Sequence, residues 1–193
     1  MDTMTGAGPA AGGRGTDDML AAFARWSGAE RARAQAAARS SERWLRQQRA
    51  ESATLAGTLV DLAEDGAEVT LAVGPRRLAG RLVGVGVDLC VLEGRDGSSS
   101  LVALERLSAL WPAGQRGAPG GGERVPELPL RFVDALAALA GEMVPVRLWL
   151  SGGEILAGDL VAAGVDVVTV RLPTPSRDYA YAPVRLIDVC MPA

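Results

Sequence analysis

Two stretches of this chain share one pattern of apolar and polar positions. Residues 55–62 place leucines at i, i+4 and i+7, and residues 132–139 place a phenylalanine and two leucines in the same way. That spacing predicts a helix with one buried face. Residues 69–73 and 146–150 each carry an aliphatic side chain at every second position, which predicts a half-buried strand. In both comparisons the second stretch follows the first by 77 residues, so the pattern predicts two copies of one unit.

The repeat is clearest in residues 78–88 (LAGRLVGVGVD) and 156–166 (LAGDLVAAGVD), which are identical at eight of eleven positions. Further on, residues 104–112 (LERLSALWP) match residues 184–192 (VRLIDVCMP) at an offset of 80. The offset changes only within predicted turns, where folded proteins tolerate insertions. We therefore interpret the two copies as a structural repeat.

Each copy is predicted to be one helix followed by about five short strands. Gly80 and Gly158 stand where we expect a strong strand bend or a close backbone approach. Five short, strongly bent strands indicate a small barrel. The sequence thus predicts a mainly β protein with an N-terminal α-helix and two tandem small β-barrels of the SH3 type, each preceded by a helix.

Composition divides the chain further. We predict a disordered Gly/Ala/Pro-rich tail at 1–16, an Arg-rich helical arm at 17–50, repeat 1 at 51–112, a Gly/Pro linker at 113–128 and repeat 2 at 129–193. The arm is either one continuous helix or two helices with a restart near residue 40.

Composition also limits the chemistry. The chain of 193 residues contains no histidine and no lysine, which removes the commonest general base and the commonest metal ligand. Cys90 and Cys190 lie in apolar runs a hundred positions apart, so we predict buried structural thiols. We predict no catalytic residue, no metal, no cofactor and no small-molecule substrate, and hence not an enzyme. The chain's start lacks a signal-peptide core and no 18-residue stretch lacks a charge, so we expect no membrane span and a cytoplasmic protein.

Charge is unevenly distributed. Residues 21–50 hold seven arginines against two glutamates, or +5, whereas residues 51–193 hold twelve arginines against eighteen acidic side chains, or −6. Arg43, Arg46 and Arg49 are candidates for phosphate contacts with RNA or DNA. The competing interpretations are a solvated helix, or one that docks on the acidic repeats or on a second chain.

The aromatic residues of the repeats are the remaining candidates. Tyr179 and Tyr181 stand two apart, so on a strand both rings face one side, where they either stack on a base or cover an apolar patch. Arg177 and Arg185 flank them and join the nucleic-acid candidates. Trp111 and Trp149 lie in predicted strands and are core or subunit-interface candidates, the interface being favoured.

The repeated order of helix, strand, Gly turn, L-x-G-x-L-V-x-x-G-x-D and apolar strands resembles the Sm-like fold of Sm proteins and bacterial Hfq, over residues 52–112 and 129–192. Gly80 and Gly158 match the glycine of that family's L-x-G, and Asp88 and Asp166 match its Asp after the bent strand. The whole chain is also similar to a family of high-GC bacterial proteins that has an Arg-rich N-terminal helix and no established activity.

The resemblance implies association through barrel edges, but the RNA-contacting residues of the family are replaced. Its Lys-His step corresponds to Leu104-Glu105 and Val184-Arg185. The sequence therefore predicts a non-catalytic binding or scaffolding module that is regulatory through contacts with another protein or through self-association. The alternative is an RNA- or DNA-associated regulator that uses the Arg-rich helix and the tyrosine pair.

Overall fold

The structure is a computed structural model that describes residues 30, 33–45, 47–48, 50–114, 124–126, 128–176 and 178–193. The chain divides into two compact units, Met1–Gln48 and Arg49–Ala193. In the first unit residues 30, 33–45 and 47–48 are helical and form α1. The predicted tail at 1–16 and the start of the predicted arm lie outside the described residues.

The second unit contains two copies of one order of elements. In the first half, helix and strands are α2 (Leu55–Glu64), β1 (Glu68–Val73), β2 (Arg76–Val85), β3 (Leu89–Glu93), β4 (Ser99–Ala103) and β5 (Leu107–Pro112). In the second half they are α3 (Phe132–Gly141), β6 (Pro145–Leu150), β7 (Ile155–Ala163), β8 (Val167–Arg171), β9 (Tyr179–Pro183) and β10 (Ile187–Pro192). A single 3₁₀ turn precedes the last strand of each half, Leu104–Arg106 and Val184–Leu186.

All ten strands belong to one antiparallel sheet in the order β5-β1-β2-β3-β4-β10-β6-β7-β8-β9. The prediction of a mainly β chain with an N-terminal helix is confirmed. The sheet is not closed: β4 hydrogen-bonds to β10 of the second half, and β5 and β9 form its two ends. Two separate tandem barrels therefore stay a prediction.

The repeat holds at the level of strand register. Val69 of β1 faces Gly80 of β2, and 77 residues later Val146 of β6 faces Gly158 of β7. The register of β2 with β3 shifts after Leu82, and that of β7 with β8 shifts after the corresponding Leu160. The two halves thus have the same pairing, bulge included.

The glycine of each repeat motif lies where two backbones approach closely. A Cβ atom on Gly80 would stand 2.6 Å from the carbonyl oxygen of Glu93, and one on Gly158 would stand still closer to the carbonyl oxygen of Arg171. Backbone atoms of a paired strand cannot move aside as a flexible side chain does. The bulged strand therefore requires glycine at this position.

The two hydrophobic clusters are not confined to their own halves. The cluster under α3 includes Leu89 and Ala103 from the first half, and the cluster under α2 includes Val189 from the second. Because each half lends strand residues to the core of the other, the sheet and its packing form one continuous body.

The predicted linker contacts α2 through Arg124, one of its described residues. Arg124 places Nε 3.0 Å from Oδ1 of Asp61, and its guanidinium also contacts the carboxylate of Glu64. Both acidic residues lie on α2, so the end of the linker follows the first half before α3 begins.

We expect Gly80→Ala to lower the free energy of unfolding by about 1–3 kcal/mol, because the added methyl group must displace backbone. Gly152→Ala is the matched control: a Cβ there meets no atom within 4 Å, so its effect should stay within about 0.5 kcal/mol. Urea unfolding of both variants measures the difference, and equal stabilities would contradict the close approach.

Candidate protein-binding edges

The junction between the halves consists of two cross-strand pairs, Val102 with Val189 and Leu101 with Cys190. Val102, Val189 and Cys190 are fully buried, and Leu101 is half-buried against the cluster under α3. A short pairing of β4 with β10 is thus covered by apolar side chains from both halves.

A polar network closes one end of this junction. Asp188 of β10 is 4% exposed and accepts a hydrogen bond of 2.5 Å from the Ser151 hydroxyl. Arg106 reaches it from the first half, with Nε 3.8 Å from Oδ1, and its guanidinium also donates to the carbonyl oxygen of Arg185. At 3.8 Å the contact of Arg106 with Asp188 is a charge pair and not a hydrogen bond.

Arg76 and Trp149 form a second contact between the halves. The Arg76 guanidinium donates to the Gly153 carbonyl oxygen at 2.9 Å and lies 4.6 Å from the centre of the Trp149 ring. The Trp149 indole N–H is buried and has no hydrogen-bond partner within the described chain. Trp149, an interface candidate, therefore lies at the junction inside one chain, where a cation covers its ring.

Asp88 couples the first half to α3. Its carboxylate accepts a hydrogen bond of 2.6 Å from the backbone N–H of Phe132, the first residue of that helix. Arg131, the residue before it, makes no side-chain capping bond, so Asp88 supplies the cap from 44 positions away. The Leu130 carbonyl oxygen accepts from the Val87 N–H at 2.9 Å, which holds the same segment on the β2–β3 turn.

An open cleft of about 500 Å³ lies beside this cap. Its charged lining residues are Asp88, Glu105, Asp166 and Arg185. Glu105 pairs with Arg106 at 3.3 Å. Acidic groups outnumber basic ones around the cleft, which disfavours a phosphate there. Among the described residues no group of three or more His, Cys, Asp or Glu side chains is arranged to hold a metal ion.

The two end strands have a hydrogen-bonded neighbour on one side only within the described sheet. β5 carries Trp111, which is 44% exposed and has the Arg77 guanidinium 4.6 Å from its ring centre. β9 carries Tyr179 and Tyr181, which are 53% and 70% exposed. Both ends of the sheet thus combine unpaired backbone with exposed aromatic side chains.

The remaining nucleic-acid candidates fall on both compact units or outside the described residues. Arg43 lies exposed on α1, where Nε donates to the Arg39 carbonyl oxygen at 3.3 Å. Arg46, Arg49 and Arg177 lie outside the described residues. α1 belongs to one compact unit, whereas the two tyrosines belong to the other.

Sequence reasoning missed the polar network of the junction. Arg106 and Asp188 stand at repeat positions where the other copy has Leu186 and Ser108. A charged residue that interrupts a match between two copies marks a place where one copy makes a contact that the other does not. That signal was present in the alignment of residues 104–112 with 184–192.

Both thiols are buried, and burial raises the pKa of Cys90 and of Cys190 to about 12. A thiol with so high a pKa is neutral near pH 7 and is a poor nucleophile.

No described helix combines the length and the apolar character that a membrane crossing requires. No protein-family model matches the chain, and no curated protein matches it in sequence. The resemblance to Sm-like proteins therefore depends on the residues of this chain alone.

We expect neither cysteine to react with an aromatic disulfide reagent at pH 8 in the folded protein, and both to react in denaturant. Burial raises the pKa of each thiol in the folded chain above its unfolded value of about 8.5. The stability contributed by the neutral thiols is therefore lost as the pH rises from about 8.5 towards 12. A thiol that reacts rapidly with the reagent in the native protein would show that its strand opens.

Asp188→Ala should lower the free energy of unfolding by about 2–3 kcal/mol, since it leaves the Arg106 guanidinium without its buried partner. The figure is below that of a fully buried pair because the Arg106 side chain is 30% exposed. Ser108→Ala, at the corresponding position of the exposed strand β5, is the control and should change stability by no more than about 0.5 kcal/mol. Chemical denaturation measures the free energy of unfolding of both variants. An Asp188→Ala variant as stable as the wild type would show that the network does not stabilise the junction.

Proposed function

We propose that this chain is a non-catalytic binding or scaffolding protein, built on two Sm-like halves, which is regulatory through protein–protein contacts at β5 and β9. The observation that carries the proposal is the pair of open sheet ends with exposed aromatic side chains. An unpaired strand presents a row of N–H and C=O groups to which another strand can add.

The chain's own junction supports this mode of binding. β4 and β10 join two five-stranded halves through two residue pairs, with apolar packing on both sides. The same kind of contact at β5 or β9 requires only an extended segment with apolar side chains at alternate positions. Aromatic residues are enriched where proteins bind proteins, because they bury a large area at little entropic cost.

Several features favour binding over catalysis. The thiols are buried, and their raised pKa keeps them protonated. In the cleft, the Asp88 carboxylate is occupied as the cap of α3 and Glu105 is paired with Arg106. The Asp88 carboxylate is thus engaged in joining the first half to α3.

One observation favours the alternative of an RNA- or DNA-associated regulator. The rings of Tyr179 and Tyr181 are exposed, as base stacking requires. It predicts that native mass spectrometry of the purified protein detects retained oligonucleotide, and that binding weakens steeply with salt. Arg43→Ala should then weaken RNA binding. If the chain binds proteins through its sheet ends instead, the same substitution should leave that protein binding unchanged.

The proposed function is tested with immobilised wild-type chain and two variants, Tyr181→Lys on β9 and Val83→Lys as control. Val83 is 44% exposed but lies on β2, which is hydrogen-bonded on both sides. We expect proteins retained by the wild type to be lost from the Tyr181 variant and kept by the Val83 variant, as measured by quantitative mass spectrometry. Equal retention by all three would contradict binding through the β9 edge.

A further inference from the structure

We propose that α1 is an attachment helix that lies along the surface of a membrane containing anionic lipids. This inference goes beyond the proposed function and does not depend on the sheet ends. Every described side chain of α1 is exposed. Its two large apolar side chains within the described residues, Trp44 and Leu45, are 58% and 47% exposed. The helix therefore presents to solvent the side chains that a helix of a folded core would bury.

Residues 34–45 of α1 divide into an apolar face and a basic face. Successive residues are about 100° apart around a helix, so Trp44 and Leu45 bound a sector of about that width. The positions of residues 34–45 that fall inside this sector carry small side chains, those of Ala34, Ala37 and Ser41. Arg39 and Arg43 lie about 100–160° from both large side chains. Apolar and cationic groups thus occupy different sides of the same three turns.

The sequence before these turns follows the same division. Counted back from Trp44 at about 100° per residue, Phe23 and Trp26 fall in the apolar sector, and all seven arginines of residues 21–50 fall outside it. Phe23 and Trp26 lie outside the described residues, so the proposal is carried by residues 34–45. Within the described helix Glu30 enters the apolar sector, where its carboxylate pairs with Arg33 at 3.6 Å.

Charge complementarity identifies the surface that such a helix fits. Residues 21–50 carry a charge of +5, whereas residues 51–193 carry −6. Within the described chain neither Arg39 nor Arg43 pairs with a carboxylate, and Nε of Arg43 donates to the Arg39 carbonyl oxygen of the same helix at 3.3 Å. Guanidinium groups with donors to spare bind phosphate, and an anionic layer of lipid headgroups attracts them from several ångströms away.

The separation of the two faces favours a membrane over a nucleic acid. Proteins bind single-stranded RNA where stacking rings and cations line one groove. On α1, Trp44 and Arg39 lie about 140° apart around the axis, so one strand of RNA does not reach both. At a membrane the two kinds of side chain act at different depths. The ring enters the boundary of the acyl chains, and the long arginine side chains extend outwards to the phosphates.

A second helix fits the apolar face less well than a membrane does. Helices pair along a seam of large side chains that alternate at intervals of three and four residues. Three and four residues before Leu45 the chain has only serine and alanine, and Trp44 is its direct neighbour. A lipid surface does not need such a repeat, because its acyl chains adapt to a helix with few large side chains.

Co-sedimentation of the nuclease-treated full chain with lipid vesicles is the first test. We expect binding to vesicles of equal parts phosphatidylglycerol and phosphatidylcholine, and binding about tenfold weaker or less to phosphatidylcholine alone. Raising the salt from about 0.1 M to about 0.5 M should release the chain, because salt screens the attraction. A chain that stays in the supernatant with the anionic vesicles at low salt overturns the proposal.

Charge variants test the basic face. Arg39→Gln/Arg43→Gln should weaken vesicle binding about 25-fold, since each arginine near an anionic surface contributes about fivefold. Arg95→Gln/Arg147→Gln is the matched control: it removes the same charge from two exposed positions of the second unit and should leave binding within about twofold of the wild type. Equal losses in the two double variants would assign binding to the net charge of the chain and overturn the role of α1.

Substitution of the large ring tests the apolar face. Trp44→Gln should weaken vesicle binding about tenfold, because the ring no longer transfers from water to the acyl boundary. Val83→Gln, which replaces a 44% exposed apolar residue of the second unit, is the control and should leave vesicle binding unchanged. A Trp44→Gln variant that binds as tightly as the wild type would reduce the contact to surface charge and overturn the proposed insertion.

A dye that emits at shorter wavelength in an apolar environment tests which side of the helix meets the vesicle. It is attached to Ala37→Cys, on the apolar face, or to Ala36→Cys, which lies beside Arg43 on the basic face. Both positions are exposed, and the native thiols are buried, so each variant should take one label. We expect anionic vesicles to shift the emission of the dye at position 37 to shorter wavelength and to leave that at position 36 unchanged.

Two results with these labels would overturn the proposal. A shift at position 36 without one at position 37 would show that only the basic face makes contact, as a nucleic acid or a purely electrostatic surface would. A dye at position 37 that emits at short wavelength before vesicles are added would show that a protein surface already covers the apolar face.

Discussion

The pairing of β4 with β10 is the contact on which the rest of the second unit depends. Each half contributes only about 60 residues, a size at which a single core stabilises a fold poorly. By joining the two halves edge to edge, this pairing lets Leu89 and Ala103 complete the core of the second half and Val189 complete the core of the first. The network of Arg106, Asp188 and Ser151 and the cap from Asp88 then hold the joined halves in one arrangement.

The same pairing has a cost at the ends of the sheet. An antiparallel sheet that joins β10 of one half to β4 of the other leaves the complementary strands, β5 and β9, with a hydrogen-bonded neighbour on one side only within the described sheet. These ends carry Trp111 and Tyr181 where the junction has Met191 and Leu101. The junction has a partly buried charge pair, whereas the ends have exposed aromatic rings, so the two kinds of edge differ in chemistry.

Much of the local structure was predictable from particular residues. The helical spacing in 55–62 and 132–139 and the repeated glycine motif placed both helices and located Gly80 and Gly158 where neighbouring backbones approach. The candidate site was predictable only in part. Trp111 and Trp149 have similar local sequence patterns, yet Trp111 is half-exposed on an end strand, whereas Trp149 is partly buried at the junction with Arg76 over its ring. Nothing in their local sequence separates the two environments.

The sequence by itself determined the number of copies, the type and order of the elements and the residues that face inwards, because periodicity along a strand or helix records which side is buried. Only the tertiary structure decided that β4 pairs with β10, that the sheet stays open and that β5 and β9 form its ends. The physical reason is that every strand of the repeat has the same local pattern. The partner of an edge strand is selected by contacts between residues about 80 positions apart, such as those of Arg106 and Asp188, which no local pattern encodes.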